Sequence, residues 1–142
     1  MKISIASDHA GFELKTHIIN HFKEIHTFID SGPDSNKSVD YPDFAHKAVS
    51  DYLQYKCHRI ILICGSGNGI QMSANKHKNI RCAVCWTSEI TKMARLHNDA
   101  NALALPARFI SFSDGIKFVN IFIDTPFEAG RHQKRISKIN GY

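Results

Sequence analysis

Arg59 to Lys76 reads RIILICGSGNGIQMSANK. Ile60-Ile61-Leu62-Ile63 is a short apolar run of the kind that forms a strand buried on both faces. Cys64-Gly65-Ser66-Gly67-Asn68-Gly69 is a glycine-rich turn, and a helix is expected from about Asn68 to His77. A buried strand that ends in such a turn and feeds a helix is how parallel α/β folds build phosphate and oxyanion sites. Here the strand ends in a thiol. Alternating glycines expose several backbone N–H groups towards one point. Cys64 is therefore the candidate for chemistry, and the turn is the candidate for stabilising the charge it creates. The GxGxG spacing matches neither the P-loop pattern GxxxxGKS/T nor the dinucleotide pattern GxGxxG. It also follows the third strand, not the first, so nucleotide binding is not the default reading.

Outward from this stretch, strands and helices alternate. Lys2 to Ser7 and His26 to Ile29 read as the first two strands, Ile80 to Trp86 as the fourth and Asn101 to Leu105 as the fifth. The first helix runs to about Glu24, with Leu14, Ile18, Phe22 and Ile25 on one face. Pro42 opens the second, where a missing N–H costs nothing, and Phe44, Ala45, Ala48, Val49, Tyr52 and Leu53 share its apolar face. Thr87-Ser88 and Ser113-Asp114 are caps for two further helices, and a last helix spans about 130–139. The pattern predicts a single doubly wound, Rossmann-like α/β domain over 1–142, with a five-stranded parallel sheet and helices on both faces. Ligands of such sheets bind beyond the carboxyl ends of the strands. Those ends are Asp8-His9, Cys64 to Gly69, Trp86-Thr87 and Leu105 to Arg108.

Composition bounds the rest. The chain has 142 residues, 43% hydrophobic and 22% charged, with a net charge of +5, which suits one globular domain. No apolar run reaches membrane-spanning length, and the N-terminus enters a strand pattern with no signal-peptide features. Four cysteines without a framework-like spacing suggest reduced thiols and a cytoplasmic setting. The positive excess gathers near the C-terminus, without the basic stripe and aromatics that a nucleic-acid partner calls for.

Cys82 and Cys85 have CxxC spacing but fall within one strand, three apart and so on opposite faces. They read as core residues and not as a metal half-site. Most of the nine histidines read as solvent-facing. His9, at the end of the first strand, and His97, in His97-Asn98-Asp99, are expected to reach the edge where Cys64 sits. Histidine titrates near neutrality and suits acid–base work. Arg131 and Arg135, four apart on the last helix, share a face suited to capturing a phosphate, unless that face is merely solvated along with His132 and Lys134. Arg108 adds a third cation.

Several stretches together resemble one family, the type B ribose-5-phosphate isomerases, which also include galactose-6-phosphate isomerase subunits. They are Ser7-Asp8-His9-Ala10-Gly11-Phe12, Asp40-Tyr41-Pro42, Cys64 to Ile70, Ala74-Asn75-Lys76, Ile80-Arg81, His97 to Asn101 and Gly130-Arg131-His132. The resemblance implies a parallel α/β fold, no metal or organic cofactor, and a homodimer (or a tetramer of paired dimers) whose sites draw on both subunits. It implies interconversion of ribose 5-phosphate and ribulose 5-phosphate, a pentose phosphate pathway step, through an enediolate. By position, Cys64 resembles the base and Gly65, Ser66, Gly67, Asn68 and Gly69 the enediolate-binding turn. His97 or His9 resembles the ring-opening acid. Asp8, His9, Tyr41 and Asn98 resemble sugar contacts, and Arg108, Arg131 and Arg135 phosphate contacts. Part of the family instead carries a carboxylate base on the helix after the turn; the stretch from Asn68 to His77 has no Asp or Glu, which favours the cysteine. The alternatives are an isomerase of a six-carbon sugar phosphate (allose or galactose 6-phosphate) and a non-catalytic sugar-phosphate-binding module.

Overall fold

The computed structural model describes residues 1–141. Strands β1 (Lys2–Ser7), β2 (Thr27–Asp30), β3 (Arg59–Cys64), β4 (Cys82–Val84) and β5 (Ala102–Pro106) alternate with helices α1 (Phe12–Phe22), α2 (Tyr41–Gln54), α3 (Asn68–Ala74) and α4 (Ser88–Asn98). Helices α5 (Phe112–Asp124) and α6 (Arg131–Asn140) follow. Every strand pair is parallel, and the order is β2-β1-β3-β5-β4. The predicted five-stranded parallel α/β sheet is present.

Each strand of the centre is apolar on both sides because helices cover both faces. On one face, Ile3, Ile5, Ile61, Ile63, Leu103 and Leu105 pack with α1, α4 and α5 residues such as Leu14, Ile18, Ala94, Phe118 and Phe122. On the other, Ala6, Ile60, Leu62, Cys64, Ala102 and Ala104 meet Ala45, Ala48 and Val49 of α2 and Ile70 and Ala74 of α3. Small residues on this second face let two helices lie close to the sheet. Cys82 and Cys85 fall into opposite clusters, as strand alternation requires.

Several local expectations shift. α1 stops at Phe22, so Ile25 lies beyond its buried face and is exposed. Leu53, near the end of α2, is exposed as well. α3 ends at Ala74, short of His77. β4 is only three residues long, and its outer edge is occupied by side chains. Asn75 donates to the Cys82 carbonyl at 2.9 Å and accepts from its N–H at 2.8 Å, and Gln71 donates to the same carbonyl at 3.1 Å. These amides satisfy an edge that would otherwise recruit another strand. α4 is capped by Thr87, as expected. The α5 cap is Ser111 and not Ser113: its hydroxyl accepts from the Asp114 N–H at 3.1 Å, which starts the helix at Phe112.

The long loop after β2 is anchored from beneath by a buried cation. Lys15 donates to Asp30 Oδ1 at 2.6 Å and to the Pro33 carbonyl at 2.8 Å. Asp30 also accepts from the Gly32 N–H. A fully buried lysine is tolerated only when paired in this way. Among the described residues no helix is long and apolar enough to cross a membrane.

Candidate active site

Chain order decides where the site lies. From β1 the chain steps outward to β2, whereas from β3 it crosses towards β5 and β4. The connections that leave β1 and β3 therefore run in opposite directions and leave a crevice beyond the paired strand ends, the switch point of a doubly wound sheet. A cleft of about 460 Å³ opens there, lined by Asp8, His9, Ala10, Tyr41, Cys64, Gly65, Ser66, Gly69, Arg108 and Phe109.

Its floor is the turn after β3. Cys64 is buried at the strand's end, and its sulfur accepts the Gly67 N–H at 3.2 Å. Gly67 has φ +75°, and a Cβ there would come within 2.7 Å of Val84 Cγ2, so both conformation and space require glycine. Ser66 is exposed, and its Oγ accepts from the Asn68 N–H at 3.3 Å. The neighbouring strand end is tied to this turn. Ala107 donates to the Cys64 carbonyl at 2.9 Å and Arg108 to the Gly65 carbonyl at 3.0 Å. Those bonds lay the Arg108 side chain over Gly65, whose missing Cβ leaves it room.

The β1 side is equally fixed. Asp8 is buried, and its Oδ1 accepts from the Gly11 N–H at 3.0 Å. Gly11 sits so close to Ile63 that a Cβ would be 2.6 Å from its carbonyl oxygen, and this draws the two strand ends together. His9 Nδ1 lies 3.3 Å from both the N–H and the carbonyl of Val39, which ties it to the long loop. Tyr41, at the start of α2, lays its ring on Gly69.

The remaining candidates are elsewhere. Ile60 pairs with Ala102 and Cys64 with Pro106. α4 delivers His97 and Asn98 to the start of β5, about 13 Å of strand away from Cys64. The expectation that His97 reaches the carboxyl edge fails within one chain, because a helix returning between parallel strands ends at the opposite edge. His97 instead stacks on His132, with ring centroids 4.4 Å apart and planes 11° apart. Arg131 and Arg135 are exposed at the same end. His132, by contrast, is buried and not part of a solvated face. Burial, with His97, Arg131 and Arg135 nearby, holds it below the ordinary histidine range against the pull of Glu128.

Glu128 belongs to no motif of the sequence, yet its carboxylate lies 3.6 Å from His97 Nε2 and 3.8 Å from His132 Nε2. Only the packing of the segment before α6 against α4 reveals it: the Glu128 N–H donates to the Leu96 carbonyl at 3.0 Å. On the cleft wall, Phe109 follows directly after Arg108, and Ala10 lies within the Ser7-to-Phe12 stretch.

A larger cavity, about 720 Å³, lies between the end of α3, β4 and α6. Asn98 is the one predicted site residue on its wall. Its cysteine, Cys82, has its thiol pushed far up by burial. Size alone therefore does not single out a site; the smaller cleft is the one that holds Cys64, the glycine turn and a cation.

A thiol, a glycine turn and an arginine gathered at the switch point of a parallel sheet define an α/β protein built to hold a small polar molecule at its carboxyl edge. The family model for Ribose/Galactose Isomerase matches residues 3–139, and the chain belongs to that family. It is 38% identical over 145 residues to the ribose-5-phosphate isomerase B of Mycolicibacterium paratuberculosis, covering 100% of this chain and 91% of the relative. A ribose 5-phosphate isomerase from Thermotoga maritima superposes with a TM-score of 0.95 at 43% identity, covering 99% of this chain and 98% of that one. Ribose-5-phosphate isomerase B from Mycoplasma genitalium, solved with bound ribulose-5-phosphate, gives a TM-score of 0.94 at 41% identity, covering 99% and 95%.

Proposed function

We propose that this protein is an aldose–ketose isomerase that interconverts ribose 5-phosphate and ribulose 5-phosphate through an enediolate, with Cys64 as the base. The observation that carries the reading is the Cys64 turn: a thiol at the switch point, with a backbone N–H on its sulfur, facing a cleft that also holds Asp8, His9 and Arg108. Full-length likeness to a relative holding ribulose-5-phosphate supports the substrate.

The chemistry asks for four things. A base must move one proton between C2 and C1 of the open sugar, and Cys64 is placed for that. Donors must meet the oxyanions of the enediolate; the N–H groups from Gly65 to Gly69 and the Ser66 hydroxyl supply them. Asp8, His9 and Tyr41 contact sugar hydroxyls. Cations must hold the phosphate dianion, and Arg108 is the one in this cleft.

The ring-opening acid and two further phosphate cations are supplied by a second copy of the chain. His97, Asn98, Arg131 and Arg135 sit together at the far end and complete the partner's cleft in a homodimer. A paired set of complementary half-sites is what a two-fold interface provides. Exposed Trp86, Ile90, Phe109 and Phe112 at or near the carboxyl edge support such contact. Of the two histidines, His97 is the better acid: it has a carboxylate beside it, whereas His9 engages the Val39 backbone.

The test is turnover of ribose 5-phosphate, allose 6-phosphate and galactose 6-phosphate by the wild type and Cys64→Ala. Ribose 5-phosphate is expected to be the best substrate, and the variant to bind it while losing at least about 10³-fold in kcat, as removal of an essential base does. Full activity in Cys64→Ala would remove the thiol base. Binding without turnover in the wild type would leave a sugar-phosphate-binding module, and a preference for a six-carbon phosphate would reassign the substrate.

A further inference from the structure

The far end of the chain carries a side-chain cluster that the reading above uses only through His97. Glu128 Oε2 lies 3.6 Å from His97 Nε2 and 3.8 Å from His132 Nε2. His132 Nε2 is buried and has no hydrogen-bond partner, so the Glu128 carboxylate at ion-pair distance is the charged group it faces. On its other side, an Arg135 nitrogen lies 3.5 Å from His132 Nδ1. Arginine only donates, so Nδ1 is the acceptor there and the ring hydrogen of the neutral imidazole is on Nε2, facing Glu128. Burial first, then His97 and the neighbouring arginines, lower His132 from the ordinary histidine range, in the direction of a single ring hydrogen. The groups facing His97 and His132 from the packed elements are Glu128, Arg131 and Arg135.

The scaffold of this cluster is rigid. Arg95 is buried and donates to Asp99 Oδ1 at 2.8 Å, to the Ala100 carbonyl at 2.6 Å and to the Thr125 carbonyl at 3.2 Å. Arg81 grips the Asp99 carbonyl at 2.7 Å. The end of α4 and the segment leading to α6 are therefore one body, and Glu128 is bonded into it through the Leu96 carbonyl.

The geometry points to Glu128 as the positioning residue of the ring-opening acid: its carboxylate, within ion-pair range of Nε2 of both His97 and the stacked His132, orients the His97 ring with Nδ1 turned to the substrate. This rests on the reading of His97 as that acid. In ring opening the bond between C1 and the ring oxygen breaks. The ring oxygen takes the proton from Nδ1 of the imidazolium form of His97, which leaves the neutral Nε2–H tautomer facing Glu128, and the C1 hydroxyl gives its proton to water as the aldehyde forms. A carboxylate that holds the opposite ring nitrogen fixes tautomer and orientation without touching the sugar. His132 lies between Arg135 and Glu128, its Nε2 turned to the same carboxylate.

Two imidazoles and a carboxylate within 4.8 Å also match the ligand set of a zinc-class ion. The flanking arginines, Arg131 and Arg135, speak against a cation here and for the carboxylate serving the two imidazoles.

The experiment compares ribose 5-phosphate with its 4-deoxy analogue, which has no hydroxyl to close a furanose ring and so needs no opening. Glu128→Gln is nearly isosteric, and the side chain is about half exposed, so folding is preserved. The expected result is a 10- to 100-fold loss of kcat with ribose 5-phosphate and less than about threefold with the open analogue, a fraction of what a general acid contributes. His97→Asn is expected to show the same split, larger. Equal losses on both substrates, or none, in Glu128→Gln while His97→Asn shows the split would overturn the role of Glu128. No split in His97→Asn would instead overturn His97 as the acid. Stoichiometric zinc binding at micromolar concentration that Glu128→Gln abolishes would also overturn the proposal, in favour of a metal site.

Discussion

The Gly67 N–H donates to Cys64 Sγ at 3.2 Å, across a turn that folds the chain back onto the end of its own strand. One bond thus joins the thiol at the strand's end to the one glycine of the turn that stands in the left-handed region. Gly67 stands at φ +75°, with Val84 Cγ2 2.7 Å and the Pro106 nitrogen 3.3 Å from the place a Cβ would take.

Gly67→Ala is therefore expected to cost about 1–3 kcal/mol of stability, from left-handed strain together with the contact against Val84. It should also lower kcat, because the donor moves away from the sulfur. Urea unfolding and steady-state rates on the same preparation check both. A variant as stable as wild type would show that the turn relaxes without loss.

The thiols should separate in reactivity. Burial pushes the Cys85 thiol up to about 11 and that of Cys82 further, and burial raises Cys57 as well. At pH 8 these three hold little thiolate, which is the reactive form. Cys64 lines the open cleft. Brief iodoacetamide treatment, read by mass spectrometry, is expected to label Cys64 first, in step with loss of activity, and sugar phosphate should protect it. Labelling of Cys82 or Cys85 ahead of Cys64 would contradict this.

Shared sites predict complementation. Cys64→Ala and the double variant Arg131→Ala/Arg135→Ala should each be nearly inactive alone. Unfolded together in equal amounts and refolded, they should recover roughly a quarter of wild-type activity, since half the dimers are mixed and each mixed dimer has one intact site. A mixture no more active than the mean of its parents would mean that each chain carries a whole site.

Much of the fold is legible along the chain. Apolar runs such as Ile60 to Ile63, punctuated by glycine turns and caps, mark alternating strands and helices, and that alternation implies a parallel sheet. The misses are local. Ile25 keeps helical spacing after α1 has ended, and Ser113 has cap chemistry but lies inside the helix that Ser111 begins. Periodicity reports which face a residue shares, not where the backbone bonds stop.

The site was half legible. Asp8, His9, Cys64, Ser66 and Arg108 all follow strand ends, and strand ends share one edge, so sequence order was enough to gather them. His97 also lies beside a strand, but before it. That places it at the opposite edge, where it meets His132 and Glu128 some thirty residues on. Sequence alone determined the residue types, the strand–turn–helix unit around Cys64 and the class of fold, because these depend on local spacing and on burial of apolar runs. Tertiary structure alone decided that the candidate groups fall into two sets, at opposite edges of one sheet. That division comes from chain direction in three dimensions: parallel strands force every helix to return, and each return carries its last residues away from the edge where Cys64 lies.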